Sequence, residues 1–415
     1  MPWREVCSMD EKVRLMAALL AGEESVTVLC EDFGISRKTA YKWLTRYRLD
    51  AAAGLRERSH APRVVPWAIS QAQAEAIVGV RREHPSWGPR KLRAKLSQRA
   101  PGQSWPAAST MGELLRRQGL SQPRKRRRSA SPGASPLRTA VAPNDTWCID
   151  FKGWFRTGDG VRCDPLTLSD AYSRYLLGIK VVDAPGHADC RRELTRVFME
   201  YGLPQVIRSD NGAPFASVGA GGLSRLSAWW VKLGITPERI EPGKPAQNGR
   251  HERMHRTLKA ECASPPAATG GAQQRRFDEF RHEFNHQRPH QALGQTAPAQ
   301  HYAPSPRSYP SRLEPPAYPD DYQLRRVRSR GEIKWQGELV YLSEALINEI
   351  VGLVETDDGD AEVYFGPVTL GLIDGVSLKL LRPHRASPST VRREGQPPSR
   401  SSPSNPEKVL PILPV

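Results

Sequence analysis

No two of the six cysteines stand in a C-x-x-C pair: Cys7, Cys30, Cys148, Cys163, Cys190 and Cys262 are scattered along 415 residues. That spacing argues against a structural zinc site and a disulfide framework, and it fits a reducing compartment. Long apolar runs are also missing. No stretch reaches the ~18 residues a membrane span needs, so no membrane partner is expected. The N-terminal residues include Arg4, Glu5, Asp10, Glu11 and Lys12 without an apolar stretch, so no signal peptide is expected. Acidic residues are in deficit, 44 against 61 Lys and Arg, leaving a formal charge of +17. Hydrophobic residues make up 38%, enough for real cores, which argues against global disorder. The positive excess is clustered, which points to nucleic acid rather than to a merely basic solvated surface.

The length suggests several domains. Residues 1–60 read as a helix-turn-helix domain. Val13, Met16, Ala17 and Leu20 fall at helical spacing in the first helix. Ser25 and Ser36 stand where caps are needed, and Gly34 supplies the turn between them. Ile35, Ala40, Trp43 and Leu44 are expected to pack inward. Arg37, Lys38 and Lys42 then face outward, on a helix able to enter a major groove. Residues 61–122 form a second helical DNA-binding domain, with Pro89 in the first turn of a basic helix. Residues 123–143 are a basic linker that opens with Pro123-Arg-Lys-Arg-Arg-Arg128. Strand and helix signals alternate through residues 144–302, which gives an α/β layer fold. A Pro-rich linker at 303–323 leads to short Gly-separated strands over 324–383, the pattern of a small β-barrel. The tail at 384–415 reads as disordered.

Three carboxylates stand out. Asp150 lies in Trp147-Cys-Ile-Asp150-Phe-Lys and Asp210 in Val206-Ile-Arg-Ser-Asp210-Asn-Gly212, each in or just after a short apolar run. Glu252 sits in Pro245-Ala-Gln-Asn-Gly-Arg-His-Glu-Arg-Met-His255, on a helix that starts after Pro245. Two strand carboxylates and one helix carboxylate can converge on a pair of hard divalent cations. Two such ions, roughly 3.5–4 Å apart, clamp the attacking and leaving oxygens of a phosphoryl transfer. Arg256 and Lys259 lie at i+4 and i+7 from Glu252, on the face suited to the adjacent phosphates. Met254, Leu258 and Cys262 oppose them. His251-Glu-Arg-Met-His255 also fits the H-E-x-x-H pattern of zinc proteases. The flanking Asn248-Gly-Arg250 and the +17 charge argue for the duller reading, in which both histidines make phosphate or packing contacts. Asp145, Asp159 and Asp170 read as turn or cap residues, with Asp170 organising the turn near Ser173 and Arg174.

With these residues in view, the chain resembles bacterial insertion-sequence transposases that carry a retroviral-integrase-like core. The carriers are Trp147-Cys-Ile-Asp150, Ser209-Asp210-Asn-Gly212, Pro242-Gly-Lys-Pro-Ala-Gln-Asn-Gly-Arg-His-Glu252 and Phe284-Asn-His-Gln-Arg-Pro-His-Gln-Ala-Leu293. The resemblance implies an RNase H-like core with an Asp-Asp-Glu triad of Asp150, Asp210 and Glu252 holding two Mg²⁺ or Mn²⁺ ions. It also implies an SH3-like terminal barrel and, as partners, DNA in the form of terminal inverted repeats and target. A homo-oligomer on DNA and a cytoplasmic, nucleoid-associated location in a bacterium complete the expectation. Between Asp210 and Glu252 lie 41 residues, more than is usual in the retroviral relatives; the 217–222 and 237–243 segments are the expected surplus. A DNA-binding regulator with an inactive core is the competing reading.

Overall fold

Serine caps set the first helices. Ser25 Oγ accepts from the Val28 amide and Ser36 Oγ from the Thr39 amide at 3.2 Å, so α2 (Val26–Asp32) and α3 (Arg37–Asp50) begin where the sequence requires. They pack with α1 (Ser8–Ala21) around Leu15, Met16, Trp43 and Leu55. Gly34 turns the chain between α2 and α3 at φ +60°, a conformation that costs glycine little. A computed structural model describes residues 8–57, 68–121, 137–182, 185–241 and 244–381. The chain divides into two units, one up to Ser70 and one from Gln71 onward. The basic run at 123–128, the Pro242-Gly243 step and the 384–415 tail lie outside the described residues.

The second unit opens with α4 (Gln71–Glu83), α5 (Pro89–Arg99) and α6 (Ala108–Arg117), which close on Ile77, Val80, Leu92, Leu96, Met111 and Leu115. An α/β layer follows: β1 (Thr146–Phe151), β2 (Phe155–Arg156), β3 (Arg162–Asp170), β4 (Leu176–Val182), α7 (His187–Tyr201), β5 (Val206–Ser209), α8 (Arg225–Lys232), β6 (Thr236–Arg239), α9 (Gly249–Cys262) and α10 (Gly270–His286). β4, β3 and β1 are antiparallel neighbours; β5 and β6 continue the sheet in parallel, and β2 pairs the start of β3. Side chains alternate across a strand, and here both faces are covered. Trp147, Ile149, Leu166 and Leu168 meet the α7 and α8 side with Leu194, Phe198 and Trp230. Cys163 and Ile179 face the other way, onto Met254 and Leu258 of α9 and Phe277 and Phe280 of α10. Asp150, Thr167 and Ser169 share this second face.

The Pro-rich stretch expected as a linker is instead bound to the core. Leu203 N donates to Arg307 O at 2.7 Å and Ser305 N to Tyr201 O at 2.8 Å. The Arg307 guanidinium spans Pro204 O, Leu233 O and Gly234 O. The backbone at Gly202 runs so close that an added Cβ would stand 2.6 Å from Ser305 O. Tyr302 stacks on Tyr175 with centroids 4.4 Å apart. Proline cannot donate to a ladder, but its carbonyls and the interleaved Tyr, Ser and Arg still bind a surface.

The C-terminal strands are β7 (Gln323–Arg326), β8 (Glu332–Trp335), β9 (Glu338–Tyr341), β10 (Ile350–Glu355), β11 (Ala361–Phe365), β12 (Val368–Ile373) and β13 (Leu380–Leu381). Strand content is as expected, but the expected barrel is not closed. Pairing gives a five-stranded path, β13-β12-β11-β10-β7, and a separate β8-β9 hairpin. The two share one apolar cluster, which also takes in Ala220, Leu223, Ala228 and Val231 from the α/β layer. That cluster replaces closure as the means of burying the inner faces. It also accounts for the 217–222 surplus, which docks the terminal sheets.

Candidate catalytic carboxylate site

β1 and β5 lie side by side and parallel, with Trp147 opposite Ile207 and Cys148 opposite Arg208. Two residues further in this register, Asp150 and Asp210 stand level at the C-terminal ends of their strands. Thr146 and Ile149 are fully buried, so the strand itself cannot shift to relieve what happens at its tip. Asp210 Oδ1 accepts the Gly212 amide at 3.0 Å, the local bond that fixes the Asp-Asn-Gly turn. Arg208 is held by an ion pair to Glu238 on the neighbouring strand at 2.6 Å.

Glu252 lies in the first turn of α9, where a negative charge is favoured by the helix dipole. The preceding Gln247 clamps the chain before the helix: its Oε1 accepts from Glu241 N at 2.7 Å and its Nε2 donates to Glu241 Oε1 at 2.8 Å. Asn248, beside it, has a buried Oδ1 with no hydrogen-bond partner among the described residues. Burial raises the Asp150 carboxyl to about 7, and the charges of Asp210 and Glu252 push the same way. Asp210 and Glu252 therefore both lie within electrostatic reach of Asp150, the three supplied by two adjacent strands and a helix. Glu252, Arg256 and Lys259 are exposed, while Met254, Leu258 and Cys262 are buried.

The two histidines of the H-E-x-x-H run point inward and make packing contacts rather than phosphate contacts. His251 Nε2 and His255 Nε2 each lie 2.7 Å from Thr167 Oγ1, and His251 Nδ1 lies 2.8 Å from Ser169 Oγ. Thr167 is the cross-strand partner of Asp150, so the histidines lock α9 against the strand pair that carries the first aspartate. Burial lowers the pKa of both imidazoles. They are neutral at physiological pH.

Sequence reasoning missed part of the basic surround. Lys152, two residues after Asp150, has its pKa lowered by burial and then by Lys259. Arg174, at φ +67°, is pushed down to about 10 by burial, then by Arg250 and Arg253. Two sets of mutually repelling cations, Lys152 with Lys259 and Arg174 with Arg250 and Arg253, are what an anion-binding surface needs. Lys152 and Arg250 are visible within the quoted motifs, but nothing local joins Arg174 to them. Asp170 is the turn organiser it was expected to be: it is buried and accepts from Asn144 N, Ser173 N and Ser173 Oγ at 2.6–2.9 Å. Asp145 likewise accepts the Val141 and Ala142 amides.

On the first unit, Arg37, Lys38 and Lys42 are exposed along α3 as expected. Lys42 Nζ also lies 4.6 Å from the Trp43 ring centroid. In the second unit the basic α5 is not free on every side. Lys91 is pushed down to about 8, chiefly by burial, near the pair that buried Arg288 makes with half-buried Glu261 at 2.8 Å. His84 reaches Glu283 at 2.9 Å in the same seam. Arg90 and Arg93 remain exposed.

Residues 140–245 and 233–298 match models of the integrase core domain. Residues 11–63 match a helix-turn-helix domain and 39–115 a homeodomain-like domain. The uncharacterized 39.2 kDa protein of insertion element IS476 from Xanthomonas euvesicatoria is 29% identical over 294 residues, 70% of this chain and 81% of that protein. The uncharacterized 31.7 kDa protein of insertion element IS407 from Burkholderia multivorans is 28% identical over 234 residues, 56% of this chain and 80% of that protein. Among solved structures, a chain of the simian T-cell lymphotropic virus intasome in complex with PP2A regulatory subunit B56 gamma overlaps 72% of this chain and 97% of its own, at 15% identity and a TM-score of 0.35. Among the described residues no helix is long and apolar enough to cross a membrane.

Proposed function

The chain belongs to the insertion-sequence transposases with an integrase-like core, and on that premise we propose that it cuts the ends of its element and joins them to target DNA. The observation that carries this is the placement of Asp150 and Asp210 on adjacent parallel strands, with Glu252 in the first turn of α9. Burial and the neighbouring Asp210 and Glu252 push the Asp150 carboxyl up to about 7, an arrangement that is costly alone and useful around cations. The fit to divalent metal is good on the same ground: oxygen donors, clustered negative charge and, among the described residues, no cationic side chain paired to Asp150. Asp150, Asp210 and Glu252 would hold two Mg²⁺ or Mn²⁺ ions. When bound, such ions lower the pKa of water and offset charge on the scissile phosphate.

The chain's own residues do the rest. Arg256 and Lys259, beside Glu252, hold the flanking phosphates, with Lys152, Arg174, Arg250 and Arg253 extending the basic track. α3 reads the terminal inverted repeats through Arg37, Lys38 and Lys42. Water first attacks the phosphodiester at the element end and the 3′-oxygen leaves. The freed 3′-OH then attacks a target phosphate, so each step exchanges one P–O bond for another and needs no covalent protein intermediate. Two ends must be held together, which calls for at least two copies on DNA.

The test is cleavage of labelled DNA carrying an element end, with Mg²⁺, by wild type and Asp210→Asn. We expect a discrete nick from wild type alone, with equal DNA binding by both. Undiminished cleavage by Asp210→Asn would remove the catalytic assignment. Specific binding without cleavage by either protein, with Mn²⁺ also supplied, would favour a DNA-binding regulator.

A further inference from the structure

Thr167 Oγ1 has three polar neighbours: Asp150 O at 2.9 Å, His251 Nε2 at 2.7 Å and His255 Nε2 at 2.7 Å. A hydroxyl has one hydrogen to give and two lone pairs. The carbonyl can only accept, so the hydrogen goes to Asp150 O. Both imidazoles must then donate Nε2–H to the two lone pairs. This fixes the tautomer of each ring, and leaves each Nδ1 as a bare acceptor. His251 Nδ1 is satisfied by Ser169 Oγ at 2.8 Å. His255 Nδ1 has no hydrogen-bond partner among the described residues. The group it faces is Asp150 Oδ2, 3.9 Å away.

With Asp150 ionised, two acceptors thus face one another, with His255 only 10% exposed and Asp150 22% exposed at the side chain. Among the described residues no donor separates them. Two metal–ligand bonds of ~2.1 Å span up to ~4.2 Å, so a single cation can touch both atoms as they stand. We propose that His255 Nδ1 is a metal ligand, joining Asp150 on one ion and giving that position a nitrogen donor. Asp150, His251 and His255 offer ligand atoms within 4.8 Å of one another, but the proton accounting separates the two rings. His251 spends both nitrogens on β3 hydroxyls and serves to position α9; His255 spends one and offers the other. The Nε2–H···Oγ bond to Thr167 is the outer contact that fixes a ligating imidazole in its tautomer.

The inference rests on the reading of Asp150 as a metal-binding carboxylate and extends it. Its consequence is selectivity. Imidazole nitrogen favours transition ions, whereas Mg²⁺ takes oxygen. One of the two positions therefore prefers Mn²⁺, Co²⁺ or Zn²⁺, while the other, built from carboxylates, does not discriminate in this way.

The test is pulsed electron paramagnetic resonance of Mn²⁺ titrated into the full-length protein, in natural abundance and with ¹⁵N-labelled histidine. We expect nitrogen modulation from a directly bound imidazole, altered by the ¹⁵N label. The modulation should vanish in His255→Ala and persist in His251→Ala, which loses the same Thr167 contact and so controls for packing. Mn²⁺ affinity should fall about tenfold or more in His255→Ala, within the range for metal-site side chains, with a smaller change for Mg²⁺. Mn²⁺ that depends on Asp150 but shows no nitrogen coupling in wild type would overturn this inference and leave the carboxylate site standing. Absence of any Mn²⁺ binding that Asp150→Asn removes would overturn both. The labelled wild type decides the question even if a variant does not fold.

Discussion

Replacing Asp150 by Asn should stabilise the metal-free protein, by an amount that grows as pH rises from the ordinary carboxylate range to about 7. The folded state raises this carboxyl from its ordinary value to about 7. A raised carboxyl pKa favours folding below the ordinary carboxylate range, and that contribution is lost as pH climbs through about 7. At about pH 8 the ionised group is a liability of up to ~4 kcal/mol, at ~1.4 kcal/mol for each tenfold change in its acidity. Part of that arises from Asp210 and Glu252, and side-chain relaxation reduces it, so the expected gain for Asp150→Asn is about 2–4 kcal/mol. Asn is nearly the same size and keeps the β1 backbone, so packing against Thr167 should survive. For a folding unit of this kind each kcal/mol moves the midpoint by ~2–4 °C, giving an increase of about 4–16 °C.

The assay is thermal unfolding of wild type and Asp150→Asn in chelator, near pH 5 and near pH 8. The expected pattern is a difference at the higher pH that narrows to under half at the lower, where the folded-state carboxyl is protonated but the unfolded one is still ionised. Added Mn²⁺ should raise wild type and leave the variant unmoved, since a ligand that binds only the folded state adds ~2.7 kcal/mol at a hundred times its Kd. Equal midpoints at both pH values would refute the reasoning, because burial and like charge at Asp150 would then carry no cost. A variant less stable than wild type at the higher pH would refute it more strongly.

Other consequences are simpler to state. Ser36→Ala removes the acceptor for the Thr39 amide and should cost the N-terminal unit about 1 kcal/mol, read by urea unfolding followed at Trp43. Asp170→Ala leaves the Asn144 and Ser173 amides without their buried acceptor and should cost about 3 kcal/mol in the same assay on the second unit. Alanine at Arg37, Lys38 or Lys42 should lower the slope of log affinity against log salt by about one for each phosphate contact removed, measured by anisotropy on element-end DNA; an unchanged slope for all three would place the DNA elsewhere.

What could be read from the sequence was whatever depended on near neighbours in the chain. Ser25, Gly34 and Ser36 mark helix ends within a few residues, and the alternation in Trp147–Phe151 assigns its faces without outside help. Asp170 was legible because two of its three donors, Ser173 N and Ser173 Oγ, come from the next turn; the third, Asn144 N, stands 26 residues earlier and was not. The Pro-rich 303–323 segment was misjudged because composition shows only what a segment cannot do within itself. Its hydrogen bonds go to Tyr201, Leu203, Leu233 and Gly234, between 73 and about a hundred residues earlier. The unclosed terminal sheet has the same origin. Gly-separated strands predict a sheet that must cover one face, and closure is one way to do it. Here Ala220, Leu223, Ala228 and Val231 cover it instead.

The His251–His255 run shows why a motif carries less than its letters suggest. On a helix, residues four apart share a face and the residue between them turns away by ~100° per step. In α9 the histidines fall on the buried side with Met254 and Leu258, and Glu252 falls on the exposed side with Arg256 and Lys259. A metalloprotease helix needs both histidines free to grip one zinc ion beside a glutamate acting as base. Here Thr167 and Ser169, supplied by β3 more than eighty residues away, take three of the four imidazole nitrogens and fix their protons. The sequence shows the spacing of these groups but not the hydroxyls opposite them. It is the hydroxyls that turn a protease-like pattern into a helix anchor, with one nitrogen left facing Asp150.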